Sequence, residues 1–249
     1  MPRIFLPLQG DSGLVRITGD RARYLTKVLR CREGDELHLL DGKGRSFQSI
    51  IRGITRREVT VEITGHIPYD TESPLYLILI QAILKGEKMD IVVQKTTELG
   101  IKEIYPVVTE RCQVRETARV ERWLKIAEEA SRQSGRTEVP VIHNVSGLYD
   151  LMDGLNADSK GFIFWEGGHR CGGVPLSEAV KTYEGRKVFG GRAALYLLTG
   201  PEGGFSVEEV ERARSRGFVP VTLGRRILRA ETAAIVSTAL VQFLLGDMG

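Results

Sequence analysis

The sequence predicts an α/β protein with a mostly parallel sheet, preceded by a small β-rich module. Three observations support this fold class. Residues 35–64 read as short strands separated by turn signals, including the pair Asp41-Gly42. After residue 74, strand-like segments alternate with segments of helical periodicity, which is typical of a parallel sheet covered by helices on both faces. Two glycine-bearing loops follow strand-like segments, at the positions where such sheets bind ligands.

The composition fits a protein with a well-formed hydrophobic core. Of 249 residues, 42% are hydrophobic and 27% are charged, which is typical of soluble chains with one or two domains. The longest apolar segments, such as residues 75–80, are far shorter than the roughly 20 residues of a membrane-spanning helix. The first ten residues lack the pattern of a signal peptide, so we expect a cytoplasmic protein with no membrane partner.

The three cysteines, Cys31, Cys112 and Cys171, are odd in number and widely spaced. This pattern favours reduced thiols over a disulfide framework or a zinc ribbon. His169 and Cys171 lie together in a glycine-rich segment and invite a metal interpretation, but further ligands do not follow at the usual spacing. A glycine loop is the simpler interpretation, and no metal is expected.

The net charge of +3 is concentrated near the N-terminus. The segment RITGDRARYLTKVLRCR, residues 16–32, contains six basic residues and a single acid. Such a patch can bind phosphates, and it can equally be a solvated helix surface, so the residues alone leave both interpretations open. The module is expected to span residues 1–68, because the polar, proline-bounded segment 65–74 is a typical linker.

Alternating strands and helices are expected over residues 75–249. Residues 87–99 carry apolar side chains at helical spacing and stop at Gly100, and a second helical segment stops at Gly135; glycine is common directly after a helix. Residues 235–244 have the same spacing and predict the last helix. The predicted strands are residues 75–83, 103–108, 139–142, 161–167, 194–200 and 219–224.

The stretch LTGPEGGF, residues 198–205, directly follows an apolar strand and contains three glycines. Glycine has no Cβ, so the backbone of such a loop can approach a ligand closely. Ser206 and Glu209 have the spacing of a capping box, which places the N-terminus of a helix, and a possible phosphate site, beside the loop. The chain lacks the G-x-G-x-x-G and G-K-[ST] patterns, which argues against a dinucleotide site or hydrolysis of a nucleoside triphosphate.

A second loop, within LGRRILRAETAAI at residues 223–235, also follows a predicted strand and begins with a glycine. Two glycine-bearing loops at strand ends can form two walls of one pocket. This pairing is more specific than either loop alone.

Four stretches carry a family resemblance: LTGPEGGFSVEEVE, LGRRILRAETAA, QAILKGEKMDIVVQKTTELGIKEIYPVVTERCQVR and EEASRQSGRTEVPVI. They look like the corresponding motifs of the RsmE proteins, a family of SPOUT methyltransferases. YLTKVLRCREGDELHLLDGKG resembles the PUA-like RNA-binding domain of the same family, so the resemblance covers essentially the whole chain. Tyr24 departs from the family pattern, in which histidine is expected at this position.

The resemblance implies an enzyme that uses S-adenosylmethionine to methylate N3 of a uridine in 16S ribosomal RNA of the small subunit. It also implies a PUA-like β-barrel domain at residues 1–68, a SPOUT domain with a deep trefoil knot at residues 75–249, and a homodimer. A SPOUT enzyme that acts on another RNA site and a non-catalytic RNA-binding protein are the alternatives. The intact glycines of both loops argue against the second of these.

The family resemblance further implies which residues bind the methyl donor. Backbone groups of the two loops would hold its adenosine, Ile227 and Leu228 would flank the adenine, and the strand end at Trp165 would add a third wall. The expected cofactor-binding residues are Leu198, Thr199, Gly200, Pro201, Glu202, Gly203, Leu223, Gly224, Ile227, Leu228 and Trp165.

For catalysis, Arg229 is the candidate that stabilises the anion developing on the uracil, because a fixed guanidinium can donate to a carbonyl oxygen that gains charge. Glu231 and Glu202 are candidates for the base. Each has a simpler interpretation: Glu231 can favour a helix start, Glu202 can brace its loop, and Arg229 can pair with an acid. The expected RNA-binding residues are Arg23, Lys27, Arg30, Arg132 and Arg136.

Overall fold

The computed structural model describes residues 1–8, 10, 13–68, 71–156, 159–169, 172–184 and 194–249. The chain divides into two compact units. Unit 1 contains Met1–Glu72 and Ser131–Val139, and unit 2 contains Ser73–Ala130 and Pro140–Gly249. Residues 131–139, which the sequence-based boundaries assign to the C-terminal domain, therefore group with unit 1.

Within its described residues, unit 1 forms a five-stranded sheet in the order β1-β3-β4-β5-β2. The β1–β3 pair is parallel and the other pairs are antiparallel. Helix α1 is followed at once by a π-helical turn, Tyr24–Val28. The elements are β1 Arg3–Phe5, β2 Gly13–Thr18, α1 Gly19–Arg23, β3 Glu36–Leu40, β4 Ser46–Ile54 and β5 Glu58–His66.

Unit 1 has its own hydrophobic core, because its strands alternate in burial. Val59, Val61 and Ile63 are buried on one face of β5 and pack with core residues such as Leu37 and Phe47. This small apolar core is what the alternation in the sequence predicts for a β module.

The Asp41-Gly42 turn forms as the sequence predicts. The Asp41 carboxylate accepts hydrogen bonds from the N–H groups of Lys43 (2.8 Å) and Arg45 (2.9 Å), and Gly42 has a φ of 76°. Burial alone would raise the pKa of Asp41, but the Arg45 side chain and these N–H groups outweigh burial and lower the pKa below its ordinary value.

The described part of unit 2 contains an eight-stranded sheet with parallel pairing throughout. Seven strands follow the order β11-β13-β10-β12-β6-β7-β8, and β9 pairs with β7 beside this path. The strands are β6 Tyr76–Ala82, β7 Glu103–Val108, β8 Val141–Ile142, β9 Ser146–Gly147, β10 Lys160–Phe164, β11 Val174–Pro175, β12 Ala194–Thr199 and β13 Phe218–Thr222. The helices are α2 Lys88–Glu98, α3 Val120–Ser134, α4 Leu148–Gly154, α5 Leu176–Glu184, α6 Val207–Ser215 and α7 Ala230–Leu245.

The predicted α/β fold with a mostly parallel sheet is confirmed, and each of the six predicted strands has a counterpart. The segment 139–142 contributes only the two-residue strand β8, and the short strands β9 and β11 were not predicted. Gly100 and Gly135 follow helices with φ values of 88° and 81°, as expected of glycine after a helix. None of the described helices is long and apolar enough to cross a membrane.

Candidate functional site

A cavity of about 370 Å³ opens beside the carboxyl ends of β10, β12 and β13, which is within the roughly 300–1,000 Å³ of small-molecule sites. Its walls come from three loops, at residues 164–166, 200–205 and 221–230, and from the first turns of α2 and α7. The two glycine-bearing loops therefore line one cavity, as the sequence predicts.

Most of the expected cofactor-binding residues lie on the cavity wall. Leu198 and Thr199 are instead buried in β12, and Gly203 packs against Arg111. The cofactor roles themselves stay predictions. The expected residues on the wall are Trp165, Gly200, Pro201, Glu202, Leu223, Gly224, Ile227 and Leu228.

A buried hydrogen-bond network sets where the first loop begins. Thr199 Oγ1 donates to Gln81 Oε1 at 2.7 Å, and Gln81 Nε2 donates to the carbonyl oxygens of Ala82 (2.8 Å) and Gly200 (3.4 Å). Both side chains are fully buried and join β12 to β6. Sequence reasoning missed Gln81, although a glutamine inside the apolar run LYLILIQAI was the available signal.

The glycines of the first loop are needed for packing inside the protein as well as for access by a ligand. A Cβ on Gly200 would lie 3.1 Å from the Phe205 ring, and one on Gly203 would lie 2.9 Å from Arg111 Cβ. Gly204 has a φ of 67°, and a Cβ there would lie 2.7 Å from Glu166 Oε1. Larger residues would therefore displace the cavity wall.

The predicted capping box is present at the start of α6. Glu209 N–H donates to Ser206 Oγ at 3.3 Å, and Ser206 N–H donates to Glu209 Oε2 at 2.9 Å. The other oxygen of Glu209 accepts from Glu110 N–H at 2.8 Å. A buried carboxylate thus occupies this helix end, which disfavours the phosphate site suggested by the sequence.

Lys88 connects the two candidate bases. Its Nζ donates to Glu202 Oε1 at 2.8 Å and lies 4.0 Å from Glu231 Oε2. Burial alone would raise the pKa of Glu202, but hydrogen bonds from Lys88 and from backbone N–H groups outweigh burial and lower the pKa below its ordinary value. Glu202 is therefore a weaker base than an ordinary glutamate. Sequence reasoning missed Lys88.

Two carboxylate oxygens on the cavity wall accept no hydrogen bond from the described residues. Glu202 Oε2 and Glu231 Oε2 are buried and have no hydrogen-bond partner among the described residues. Arg229, directly before α7, is exposed and forms no ion pair within the described part of the chain. The cavity therefore offers hydrogen-bond acceptors and a cation to a ligand.

The comparisons with known proteins agree with this geometry. The family model of an RNA methyltransferase domain matches residues 71–242, and that of an RNA methyltransferase PUA domain matches residues 17–64. The ribosomal RNA small subunit methyltransferase E of Buchnera aphidicola is 30% identical, over 99% of this chain and 95% of that protein. The chain belongs to the ribosomal RNA small subunit methyltransferase E family.

Solved structures support the family membership. The family member from Neisseria gonorrhoeae, bound to S-adenosyl methionine, is 34% identical with a TM-score of 0.87, and the match covers 100% of both chains. A protein from Legionella pneumophila, solved in complex with the bound cofactor SAM, is 32% identical with a TM-score of 0.84 over 98% of both chains. The resemblance to the RsmE family, with its α/β and PUA-like domains, is confirmed.

Three of the expected RNA-binding residues, Arg23, Lys27 and Arg30, are exposed in unit 1. The Arg23 guanidinium lies 3.6 Å from the exposed Asp20 carboxylate, which is a weak pairing. The guanidinium of Arg132 stacks over the Tyr24 ring with its central carbon 4.8 Å from the ring centroid. RNA contact by these residues stays a prediction.

Arg136 does not fit the expected RNA contact. It is only 3% exposed, and its guanidinium donates to both carboxylate oxygens of Glu72, at 2.7 Å for the shortest bond. The same carboxylate accepts from the N–H groups of Thr137 and Glu138 at 3.1 Å. Arg136 is therefore held inside unit 1, which corrects the expectation from the SRQSGR motif.

No group of three or more His, Cys, Asp or Glu side chains suited to a metal ion occurs among the residues that the structure describes. Cys171 lies outside the described residues. The structure likewise does not describe the side chain of His169.

Proposed function

We propose that this protein transfers a methyl group from S-adenosylmethionine to N3 of a uridine in 16S ribosomal RNA. One observation carries the proposal: the two loops that contain the family motifs line a single cavity, beside the carboxyl ends of the strands. The names of the full-length relatives and the methyl donor bound to the Neisseria gonorrhoeae structure support it.

The residues present fit S-adenosylmethionine. The donor is a cation with several N–H and O–H groups, and Glu202 Oε2 and Glu231 Oε2 are buried acceptors without a partner in the described chain. Ile227 and Leu228 offer apolar surface to the adenine ring, and the loop that contains Gly200 offers backbone N–H and C=O groups without a side chain in the way. When bound, the donor supplies an electrophilic methyl group.

Arg229 and Glu231 are the residues that we assign to the chemistry. Transfer to N3 requires loss of the imide proton, and the negative charge that develops spreads to the uracil carbonyl oxygens. Arg229 is exposed on the cavity wall and can donate to such an oxygen. Glu231 is the better candidate for the base, because Lys88 Nζ lies 4.0 Å from it but only 2.8 Å from Glu202.

The remaining parts of the proposal follow from the family. We assign RNA binding to residues 1–68 and catalysis to residues 75–249, with the trefoil knot in the catalytic part. A homodimer is supported by the exposed apolar side chains of Leu240 and Phe243 on α7, 38% and 58% exposed. The substrate would be the assembled small subunit, in the cytoplasm.

The test is calorimetric titration with S-adenosylmethionine, followed by methyl transfer to small ribosomal subunits and to free 16S RNA. Mass spectrometry then identifies the modified nucleoside. Donor binding with a 3-methyluridine product supports the proposal, and sedimentation of the same sample tests the dimer. Donor binding with no methylated 16S RNA would point to another RNA substrate, and absence of donor binding would contradict the proposal.

A further inference from the structure

Apart from Arg229, which the proposed function assigns to the reaction, the arginines that the structure describes in unit 2 fall into two groups. Arg122, Arg212, Arg214 and Arg216 each pair with a carboxylate within the described residues. Other arginines are exposed and form no ion pair with any carboxylate in the described ranges. We call this second group the arginine rim, and it consists of Arg111, Arg115, Arg119, Arg225 and Arg226.

Three members of the arginine rim lie on the loop between β7 and α3. Arg111 Nη1 donates to the carbonyl oxygen of Gly203 at 3.3 Å, and Arg119 Nη1 donates to that of Gly86 at 2.5 Å. Gly203 belongs to the glycine loop, and Gly86 lies two residues before Lys88 on the cavity wall. Arg115 Nη2 donates within its own loop, to the carbonyl oxygen of Glu110 at 3.0 Å. The guanidinium groups of Arg111 and Arg119 are therefore held next to segments that form the cavity wall, and that of Arg115 is held on the same loop.

The other two members, Arg225 and Arg226, line the cavity on the loop that follows β13. The strand order places β10, β12 and β6 between β13 and β7. Four strand spacings of about 4.8 Å separate β13 from β7 by about 19 Å. Because all these strands are parallel, the loop after β7 and the loop after β13 both begin at the carboxyl ends of the strands, with the cavity between them.

The type of partner decides what these arginines can bind. A carbonyl oxygen is neutral and engages one of the five N–H donors of a guanidinium, so the positive charge and the other donors remain available. The carboxylates of Glu110 and Glu116, in the same loop, form no ion pair with them in the described chain. Phosphate groups suit such a guanidinium, because their oxygens accept paired hydrogen bonds from the N–H groups along its planar edge.

We infer that the arginine rim binds the phosphates of an RNA strand on both sides of the target nucleotide. This inference rests on the proposed function, since it requires an RNA substrate whose base enters the cavity. Guanidinium groups that are already held by the backbone lose little conformational entropy when they bind. The rim would thus position the strand, while the cavity residues act on the base.

The test removes three rim charges with the variant R111Q/R115Q/R119Q. Binding of a labelled oligouridylate of about 12 nucleotides is followed by fluorescence anisotropy at several salt concentrations, with S-adenosylmethionine present. We expect roughly tenfold weaker binding, and a log-log salt slope smaller by about 2, because each phosphate contact to a single strand contributes about 0.7. The affinity for S-adenosylmethionine and the melting temperature should not change.

The matched control is R212Q/R214Q/R216Q, which removes three arginines that are already paired with carboxylates. It should retain the salt slope of the unchanged protein. An unchanged slope in the rim variant would overturn the inference, and so would loss of donor binding, which would mean that the loop only supports the cavity. If the triple variant does not fold, R115Q alone replaces it, because Arg115 contacts only its own loop.

The two proposals fail separately. If the protein methylates no ribosomal RNA, the proposed function is wrong, but oligouridylate binding still decides the role of the rim. If methylation occurs and the salt slope does not depend on the rim, only this inference is wrong.

Discussion

At the scale of a single residue, Lys88 keeps a carboxylate of the cavity ionised. Its ammonium group keeps the pKa of Glu202 low although burial opposes this. In Lys88→Met, burial is no longer offset by the lysine, so the pKa of Glu202 should rise. In a titration series between pH 8 and 5, the affinity for the cationic methyl donor should therefore begin to fall at a higher pH than in the unchanged protein, because Glu202 is protonated more readily.

Calorimetry with S-adenosylmethionine across this pH range measures the effect. Lys95→Met is the matched control, because Lys95 lies on the same helix and pairs with Glu98 away from the cavity. The role assigned to Lys88 is wrong if both variants show the same pH dependence of donor affinity.

The Arg136–Glu72 ion pair makes a second prediction at this scale. Arg136→Met leaves a buried carboxylate without its cation and should destabilise the protein by about 3–5 kcal/mol. The double variant R136M/E72Q should recover part of this loss, since glutamine is neutral and keeps an oxygen for the N–H groups of Thr137 and Glu138. Urea denaturation measures the free energy of unfolding of both variants. Equal stability of the single and double variants would contradict the role of the ion pair.

The same pair shows where sequence reasoning stops. The SRQSGR motif presents Arg132 and Arg136 as equivalent basic residues. Only Arg136 is buried in unit 1, where it pairs with Glu72. This partner lies 64 positions away in the sequence. A contact of this length leaves no local pattern, so the burial of Arg136 had no signal in the sequence.

The glycine loop illustrates the scale of an element. In Gly200→Val, the new side chain would meet the Phe205 ring, which already lies 3.1 Å from the position of a Cβ. The loop must move, so we expect at least a tenfold loss of donor affinity, about 1.4 kcal/mol, with the far-UV circular dichroism unchanged. Gly154→Ala is the control, because a Cβ there has nothing within 4 Å. Unchanged donor affinity of Gly200→Val would remove this loop from the binding site.

Elements with a clear local signal in the sequence were predicted, and elements without such a signal were missed. The buried strands β6 and β12 read as continuous apolar runs, and α6 carries a capping box. The strands β9 and β11 have only two residues each, too few to show an alternation. The cavity loops could be predicted because glycine at a strand end has a specific physical meaning, whereas Lys88 and Gln81 act through distant partners.

At the scale of the whole molecule, carboxylates in both units link stability to pH. In unit 2, Glu103 accepts hydrogen bonds from the hydroxyls of Tyr76 (2.6 Å) and Tyr105 (3.0 Å) and lies 2.7 Å from His143 Nε2. Burial alone would raise the pKa of Glu103, but these partners outweigh burial and lower it. The pKa of Asp41 in unit 1 is lowered as well.

A carboxylate whose pKa is lower in the folded than in the unfolded state stabilises the protein. This contribution is complete at pH values above the pKa of the unfolded state, which is about 4.3 for glutamate. This stabilisation is lost as pH falls through the folded value. At pH 7, Glu103→Gln should therefore be less stable than the unchanged protein by about 1–3 kcal/mol. The difference should shrink as pH falls below about 4. Urea midpoints between pH 3 and 7 measure it, and a difference that does not change with pH would contradict the ionised network.

The pairing of β6 with β12 also has a consequence for biosynthesis. Gln81 and Thr199, which join these central strands, are separated by 118 positions. At about 5–20 residues per second, a ribosome takes about 6 to 24 s to translate the intervening chain. During this time β6 can pair with β7 but not with β12, so one edge of the strand stays unpaired. The donor cavity can therefore form only after the segment that contains α7 has left the exit tunnel.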